Sequence, residues 1–455
     1  MLMPMTDLVF ARAQMGLSLA FHIVFAAVGV ALPLLMVVAD VLHRRTGDGD
    51  YRELSRRLAK GTAVLFAVGA VSGTVLSFEL GLLWPRFMGT FGPVIGLPFS
   101  LEGFAFFTEA IFLGIYLYGR DRISPRFHLF AGVVVALSGA ASAGFVTLVN
   151  AFMNLPQGFT LGPDGTPVDV QPLVAMFSPA WRTQVPHVLL SCYQASAFAM
   201  AGIHAAVLLR HPGAPLHRKA LRVALPVACT AALLQLVVGH ASAQHVAEHQ
   251  PVKLAALEGQ FVTERAAPLR LGGWPDEEAR ETRWALEVPY ALSLLAFDDP
   301  QAEVKGLDAV PREDWPPVAR THVSFQVMVG AGSLMALLAV LTAWQAWKVR
   351  GAGLPRWLLR AWLWSSPLGF VALEAGWLVT ETGRQPWIVQ GVMRTGEAVT
   401  PVTGLWVPFW VFTAVYLGLG LAVLVLLRAQ VRATLPFALA RKAEGAAEGE
   451  VAHAG

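Results

Sequence analysis

Charge is scarce in this sequence. Of its 455 residues, 14% are Asp, Glu, Lys or Arg and 55% are hydrophobic, and the mean hydropathy is +0.54. A soluble globular chain carries about a quarter charged residues. The deficit excludes reading the length as three soluble domains and places the chain among membrane proteins. Cysteine is nearly absent too. Cys192 and Cys229 both lie in apolar runs, which leaves no disulfide framework and no cysteine-based zinc or iron–sulfur site. The net charge of +3 is concentrated in a few loops, so the basic excess is a topology signal and not a nucleic-acid surface. No cleavable signal pattern is expected: the first apolar run is too long for a signal core, and its basic flank follows it. No internal repeat is visible, which weighs against a transporter built from inverted halves.

What is present is a series of apolar runs, each near the 20 or so residues that cross a bilayer. Nine are read, starting near Phe10, Gly61, Phe99, Leu129, Pro186, Leu221, His322, Trp357 and Leu405. The expected fold class is an all-α, polytopic membrane helix bundle of about nine transmembrane helices. Most of the Lys and Arg fall between alternate runs. Arg44, Arg45, Arg52, Arg56, Arg57 and Lys60 form one basic loop. Arg120, Arg122 and Arg126 form the next, followed by Arg210, Arg218, Lys219 and Arg222, and then by Lys348, Arg350, Arg356 and Arg360. Arg428, Arg432, Arg441 and Lys442 close the series. The positive-inside rule makes these segments cytoplasmic, so the N-terminus is expected outside and the C-terminus inside. The chain then divides into spans within 1–240, an outer segment over 241–320, further spans within 321–430 and a disordered cytoplasmic tail over 431–455. The outer segment is rich in Glu, Asp and Pro, and its length marks it as functional.

Ionisable groups inside a bilayer cost several kcal/mol unless paired or coordinated, and so are candidates for function. His22 lies in the first run and His187 opens the fifth. Met328 lies in the seventh; a methionine there is ordinarily packing. Met328 and His187 both fall in the outer part of their runs and could face one haem from opposite sides, an arrangement known for low-spin haem. Glu102 and Glu109 stand seven residues apart, about two turns, on one helical face. Glu374 and Glu381 repeat that spacing, and Glu79 is a further buried-acid candidate. The bland alternative is a set of interhelical bonds, such as Glu381 with Arg384; a proton path or metal ligation is the functional one. Phe104, Phe106, Phe107 and Trp377 could wall a flat macrocycle or simply pack. His204, His240 and His322, near run ends, read as structural or solvated, while His43, His128, His211, His217, His245 and His249 are assigned to loops.

These residues carry a resemblance. Gly383-Arg384-Gln385-Pro386-Trp387, preceded by Glu374-Ala375-Gly376-Trp377 and Glu381, resembles the signature of subunit I of the cytochrome bd-type quinol oxidases. Leu101-Glu102-Gly103-Phe104-Ala105-Phe106-Phe107-Thr108-Glu109 and Lys253-Leu254-Ala255-Ala256-Leu257-Glu258 extend the likeness over nearly the whole chain. The resemblance implies a haem-containing oxidoreductase of aerobic respiration in the bacterial cytoplasmic (inner) membrane. It would oxidise quinol at the outer face and reduce O2 to water, building a proton gradient without pumping. His187 and Met328 would be axial ligands of a low-spin haem b. His22 and Glu381 would ligate a high-spin haem b and a haem d, in an order left open; in the cyanide-insensitive branch a third haem b replaces haem d. Lys253 and Glu258 would bind quinol, Arg384 would steady haem propionates or Glu381, Trp377 would lie between haems, and Glu102 and Glu109 would carry protons. A second large membrane subunit (subunit II) and a small single-span subunit are the implied partners, beside quinol, O2 and the lipid bilayer. One position departs from the pattern: Gln326 stands two residues before Met328, where the family has Arg. Loss of that cation is expected to lower the potential of the low-spin haem.

Other membrane proteins fit less well. A transporter or channel gives no reason for the His/Met pair. A quinol–cytochrome c reductase needs paired histidines about 13 or 14 residues apart on two helices, and His187 and His204 do not have that spacing. A haem–copper oxidase needs a histidine cluster around copper that these runs lack.

Overall fold

The computed structural model describes residues 3–349 and 353–432. The tail from 433 onward, with Arg441, Lys442 and His453, lies outside the described residues, as does Arg350. The chain is overwhelmingly helical. In order the helices are α1 Met3–Thr46, α2 Gly49–Leu83, α3 Pro85–Gly119, α4 Pro125–Asn154, α5 Pro172–Met176, α6 Trp181–Arg210, α7 Pro215–His249, α8 Pro251–Glu258, α9 Ala291–Phe297, α10 Val318–Lys348, α11 Arg356–Ser365, α12 Leu368–Thr382, α13 Thr395–Ala398 and α14 Trp406–Arg432. Eight of these (α1, α2, α3, α4, α6, α7, α10 and α14) are long and apolar enough to cross a membrane. The run expected from Trp357 is divided. α11 has 10 residues and α12 has 15, and Pro367, with no N–H to donate, stands between them.

Several helices outrun the bilayer. α1 has 44 residues, about 66 Å at 1.5 Å per residue, against a hydrocarbon core of about 30 Å. The basic loop expected after the first run is therefore mostly helix. Arg44 pairs with Asp40 at 3.1 Å, and Arg56 and Arg57 pair with Glu53 at 2.8 and 2.6 Å. These pairs, three or four residues apart, support helix beyond the apolar stretch. The chain turns only where Gly47 takes φ +72° and Asp48 caps α2 by accepting from the Asp50 N–H at 2.9 Å. The same lengthening corrects the assignment of histidines to loops. His43, His128, His217, His245 and His249 all sit in helices, and only His211 of that group is in a loop.

Many large apolar side chains face outward, and small ones fill the closest helix contacts. Phe78, Leu82, Leu417 and Leu421 are exposed, while Ala197, Ala201 and Ala205 of α6 meet Ala220, Ala224 and Ala228 of α7 in the largest core cluster. In lipid no hydrophobic force drives helices together, so small residues that permit close approach fill the interfaces. Gly369 is one such case: a Cβ there would stand 2.4 Å from the Cα of Ala195, so α12 lies against the backbone of α6.

Between α7 and α10 the outer segment folds into a small unit of its own. Strand Leu269–Leu271 pairs with Leu286–Val288, Trp274–Asp276 with Glu281–Arg283, and Glu264–Arg265 with Glu303–Val304. Two small cores join it to the helix ends: Leu254, Ala267, Leu292, Ala296 and Val304 with Ala247, and Ala255, Ala256, Phe261 and Leu307 with Val318. α7 itself continues to His249, past the residue 240 boundary expected from sequence. Then α8 starts on Pro251 and stops where Gly259 turns left-handed at φ +63°, a proline-first, glycine-last pattern.

Candidate functional site

A single cavity of about 1360 Å³ runs through the bundle. His22 from α1, Glu102 and Glu109 from α3, His187 from α6, Lys253 and Glu258 from α8, Met328 from α10, and Trp377, Glu381 and Arg384 from α12 and its end all line it. Residues hundreds of positions apart in sequence thus share one wall. Glu79 and Glu374 are not on that wall. Glu79 is buried and accepts from Gln14 and Ser18, each at 2.9 Å. Phe106 and Trp377 line the cavity, but Phe104 and Phe107 are 72% and 66% exposed on the outer surface of α3. At about 100° per residue, positions 104 and 107 turn away from the face that carries 102 and 109.

The spacing of Glu102 and Glu109 does put both against α4. Ser142 donates to Glu102 at 3.0 Å, and a Cβ on Gly139 would stand 3.2 Å from Glu109. His22 Nδ1 is 3.0 Å from the Ser72 hydroxyl, with Gly73 giving room beside the ring. His187 has the Gln235 amide 3.2 Å from both ring nitrogens, and Gly239 faces its edge. Gly376 makes space for Met328: a Cβ there would come within 2.9 Å of the sulfur. α6 and α10, which carry His187 and Met328, each pack on α7 and α12 around the cavity.

The end of the cavity beside α8 is rich in cations. Arg384 is buried and pairs with Glu381 at 3.1 Å, as the bland reading of that acid expected; it also donates to Asn150 at 3.1 Å. Lys253 is buried and donates to Asn154 Oδ1 at 2.9 Å. Burial, helped by the Arg384 guanidinium and opposed by Glu381, pulls Lys253 down to about 7. Burial pushes Glu258 up to about 8, against a smaller downward pull from Arg270. One oxygen of Glu258 has no hydrogen-bond partner.

Sequence reasoning missed the residues that hold these groups: Asn150, Asn154, Ser72, Ser142 and Gln235. The available signal was amides and hydroxyls within apolar runs, with Asn150 and Asn154 one turn apart at the end of α4. His322 was read as structural or solvated. It is fully buried, with Nδ1 2.8 Å from the Leu257 carbonyl and Nε2 2.9 Å from that of Gly272. Gln326 bridges the outer segment, donating to the Arg270 carbonyl at 3.0 Å and accepting from the Gly272 N–H at 3.1 Å.

The cavity suits flat, largely apolar groups with anionic edges. Its walls are mainly aliphatic and aromatic side chains, with glycines beside His22, His187 and Met328. Buried Nε of Arg384 lacks a partner, and Arg12 and Arg320 line the cavity without forming an ion pair among the described residues. No group of three or more His, Cys, Asp or Glu converges among those residues. A macrocycle that needs only one or two axial side chains makes no such demand.

Comparison with known proteins identifies the family. The family model described as cytochrome bd terminal oxidase subunit I matches residues 10–435. A Bacillus subtilis (strain 168) protein with the provisional name cytochrome bd menaquinol oxidase subunit I is 40% identical, covering 93% of this chain and 96% of its own length. A second protein of that organism, cytochrome bd ubiquinol oxidase subunit 1, is 31% identical over 87% of each chain. The structure of bd oxidase from Geobacillus thermodenitrificans superposes with a TM-score of 0.88 at 41% identity, covering 94% of this chain and 98% of that one. The chain is a multi-pass protein of the bacterial inner membrane and an oxidoreductase, and it belongs to the cytochrome bd terminal oxidase subunit I family.

Proposed function

We propose that this chain is the haem-bearing, quinol-oxidising subunit of a terminal oxidase that reduces O2 to water. The convergence of His22, His187, Met328, Glu381, Lys253 and Glu258 on one cavity carries the reading. His187 and Met328 would hold a low-spin haem b, while His22 and Glu381 would each hold a high-spin haem, in an order left open. Bound there, two haem b and one haem d (or a third haem b) would supply one-electron transfer and oxygen reduction.

The protein's own groups supply the rest. Quinol enters at the outer end of the cavity, where Glu258 accepts a hydroxyl proton and the Lys253 ammonium steadies the oxygen left behind. Both side chains are held out of water, which strengthens their action on a polar headgroup. Arg384 neutralises Glu381 and offers Nε to an anionic edge. Trp377 separates parts of the cavity with an apolar plane. Glu102, steadied by Ser142, and Glu109 pass protons inward from the cytoplasmic side. Protons released from quinol leave on the outer side, so a gradient builds without a pump. This requires the N-terminus outside and α11–α12 as a ninth, broken crossing. The exposed apolar faces of the bundle are left to lipid and to a second large subunit, with a small single-span subunit as a further partner.

The test is a dithionite-reduced minus oxidised spectrum of the purified complex, with pyridine haemochrome analysis. Haem b bands with a red-region band of haem d are expected, or haem b alone for the branch without haem d. A folded complex with no haem would remove the oxidase reading and favour a transporter.

A further inference from the structure

Two adjacent residues of α10 reach toward the two acids on which the proposed chemistry depends. Thr321 donates to Thr382, beside Glu381, at 3.0 Å. His322 meets the carbonyl of Leu257, beside Glu258, at 2.8 Å. The other ring nitrogen of His322 meets the Gly272 carbonyl at 2.9 Å. The ring therefore spans from the last turn of α8 to the end of strand Leu269–Leu271. Carbonyl oxygens only accept, so the neutral ring makes one of these bonds and the imidazolium makes both. The α8 terminus suits such a ring, because the last carbonyls of a helix lack partners within the helix and carry its negative end.

The surroundings show that this is a clamp and not a chance contact. Gly272 takes φ +68°, the turn that ends the strand just where its carbonyl meets the ring. One turn along α10, Gln326 grips the same strand by the Arg270 carbonyl and the Gly272 N–H. Thr282 donates to the Gly259 carbonyl at 2.8 Å, which closes the α8 end from the other side. The charged group that reaches Glu258 is Arg270, whose own carbonyl Gln326 holds. α10 also carries Met328, so one rigid helix fixes both the α8 end and the candidate methionine ligand.

We propose that His322 is a positioning residue for quinol oxidation: by holding the Leu257 carbonyl it sets where the Glu258 carboxyl stands relative to α10. The proposal rests on the reading of Glu258 as the quinol base, and its test keeps the two apart. In the whole oxidase complex in membranes, His322→Asn is expected to raise the quinol KM about tenfold while the dithionite-reduced haem bands keep wild-type intensity. With Glu258 less tightly held and more hydrated, the Glu258 break of kcat/KM near pH 8 should move toward the usual carboxylate range. An unmoved KM, or a pH break that stays in place, overturns the positioning role. Should His322→Asn fail to assemble, His322→Gln keeps one donor on a longer side chain. If that variant also loses its haem bands, His322 anchors the fold and the proposal falls. Glu258→Gln is the control for the underlying reading. If it keeps both wild-type turnover and the break near pH 8, the quinol-base assignment fails, whatever His322 does.

Discussion

Replacing Asn154 by Leu tests the proposed quinol site through a residue that need not touch quinol. Lys253 is buried, and its ammonium has one side-chain acceptor, Asn154 Oδ1 at 2.9 Å. Leucine keeps roughly the volume and removes the acceptor. A hydrogen bond to a charged group contributes about 1.5–3 kcal/mol. At 1.36 kcal/mol per pKa unit, its loss lowers Lys253 by about 1–2 units, from about 7 to about 5–6. If the ammonium is the working form, its fraction falls as pH rises through its pKa, while the Glu258 carboxylate grows until about 8. With Lys253 near 7 and Glu258 near 8, the pair of ammonium and carboxylate is a minority form, and the product of the two fractions rises up to about 7, stays level to about 8 and falls above: the lower break belongs to Lys253 and the upper break to Glu258. In Asn154→Leu the lower break moves to about 5–6, and at pH 7 the charged fraction drops from about a half to about 1–10%. The assay is the pH dependence of quinol:O2 turnover in membranes, with haem content as the internal standard. Asn154→Asp should move the same break the other way. A lower break that stays near 7 in Asn154→Leu would refute the assignment of Lys253, and one that moves up would refute the electrostatic argument.

Two further substitutions probe the helices around Met328. Gly376→Val would push a side chain into the Met328 sulfur and cost about 1–3 kcal/mol in overpacking; loss of the low-spin haem b band with the other bands retained is expected, and an unaltered spectrum would count against Met328 as ligand. Gln326→Arg restores the cation that the family pattern expects, and the midpoint potential of the low-spin haem should rise in a redox titration. Because Arg cannot accept, the same change leaves the Gly272 N–H without its partner, so faster proteolysis of the outer segment should accompany the rise.

Much of this arrangement is legible in the sequence. Eight apolar runs became long helices because hydropathy over some 20 residues decides insertion whatever the partners are. Ten of the residues singled out as candidates line one cavity while Glu79 and Glu374 do not, and the ion pair of Glu381 with Arg384 was visible as a three-residue spacing. Other features depended on what the sequence does not print. α8 is eight residues long, too short for a periodicity to declare it, and only Pro251 and Gly259 mark its ends. Phe104 and Phe107 look like cavity wall beside Glu102, but helical rotation sends them to the opposite surface. Asn154, Gln235 and His322 take their meaning from partners many residues away, which tertiary contact alone reveals. The break at Pro367 was written in the sequence, yet a run of mean apolar character passed over it.

The end of α4 has a consequence for how this protein can change over evolutionary time. Asn150 holds Arg384, the partner of Glu381, and Asn154 one turn later holds Lys253. Both cations thus gather at a helix C-terminus, where the aligned peptide dipoles leave about half a negative charge. A displacement of α4 along its axis would carry both amides together and detune the outer acid and the lysine at once. A lineage that adapts to a different quinol has little freedom to slide or rotate this helix. It must change side chains around a fixed post, and variation should collect in the outer segment while the two asparagines stay.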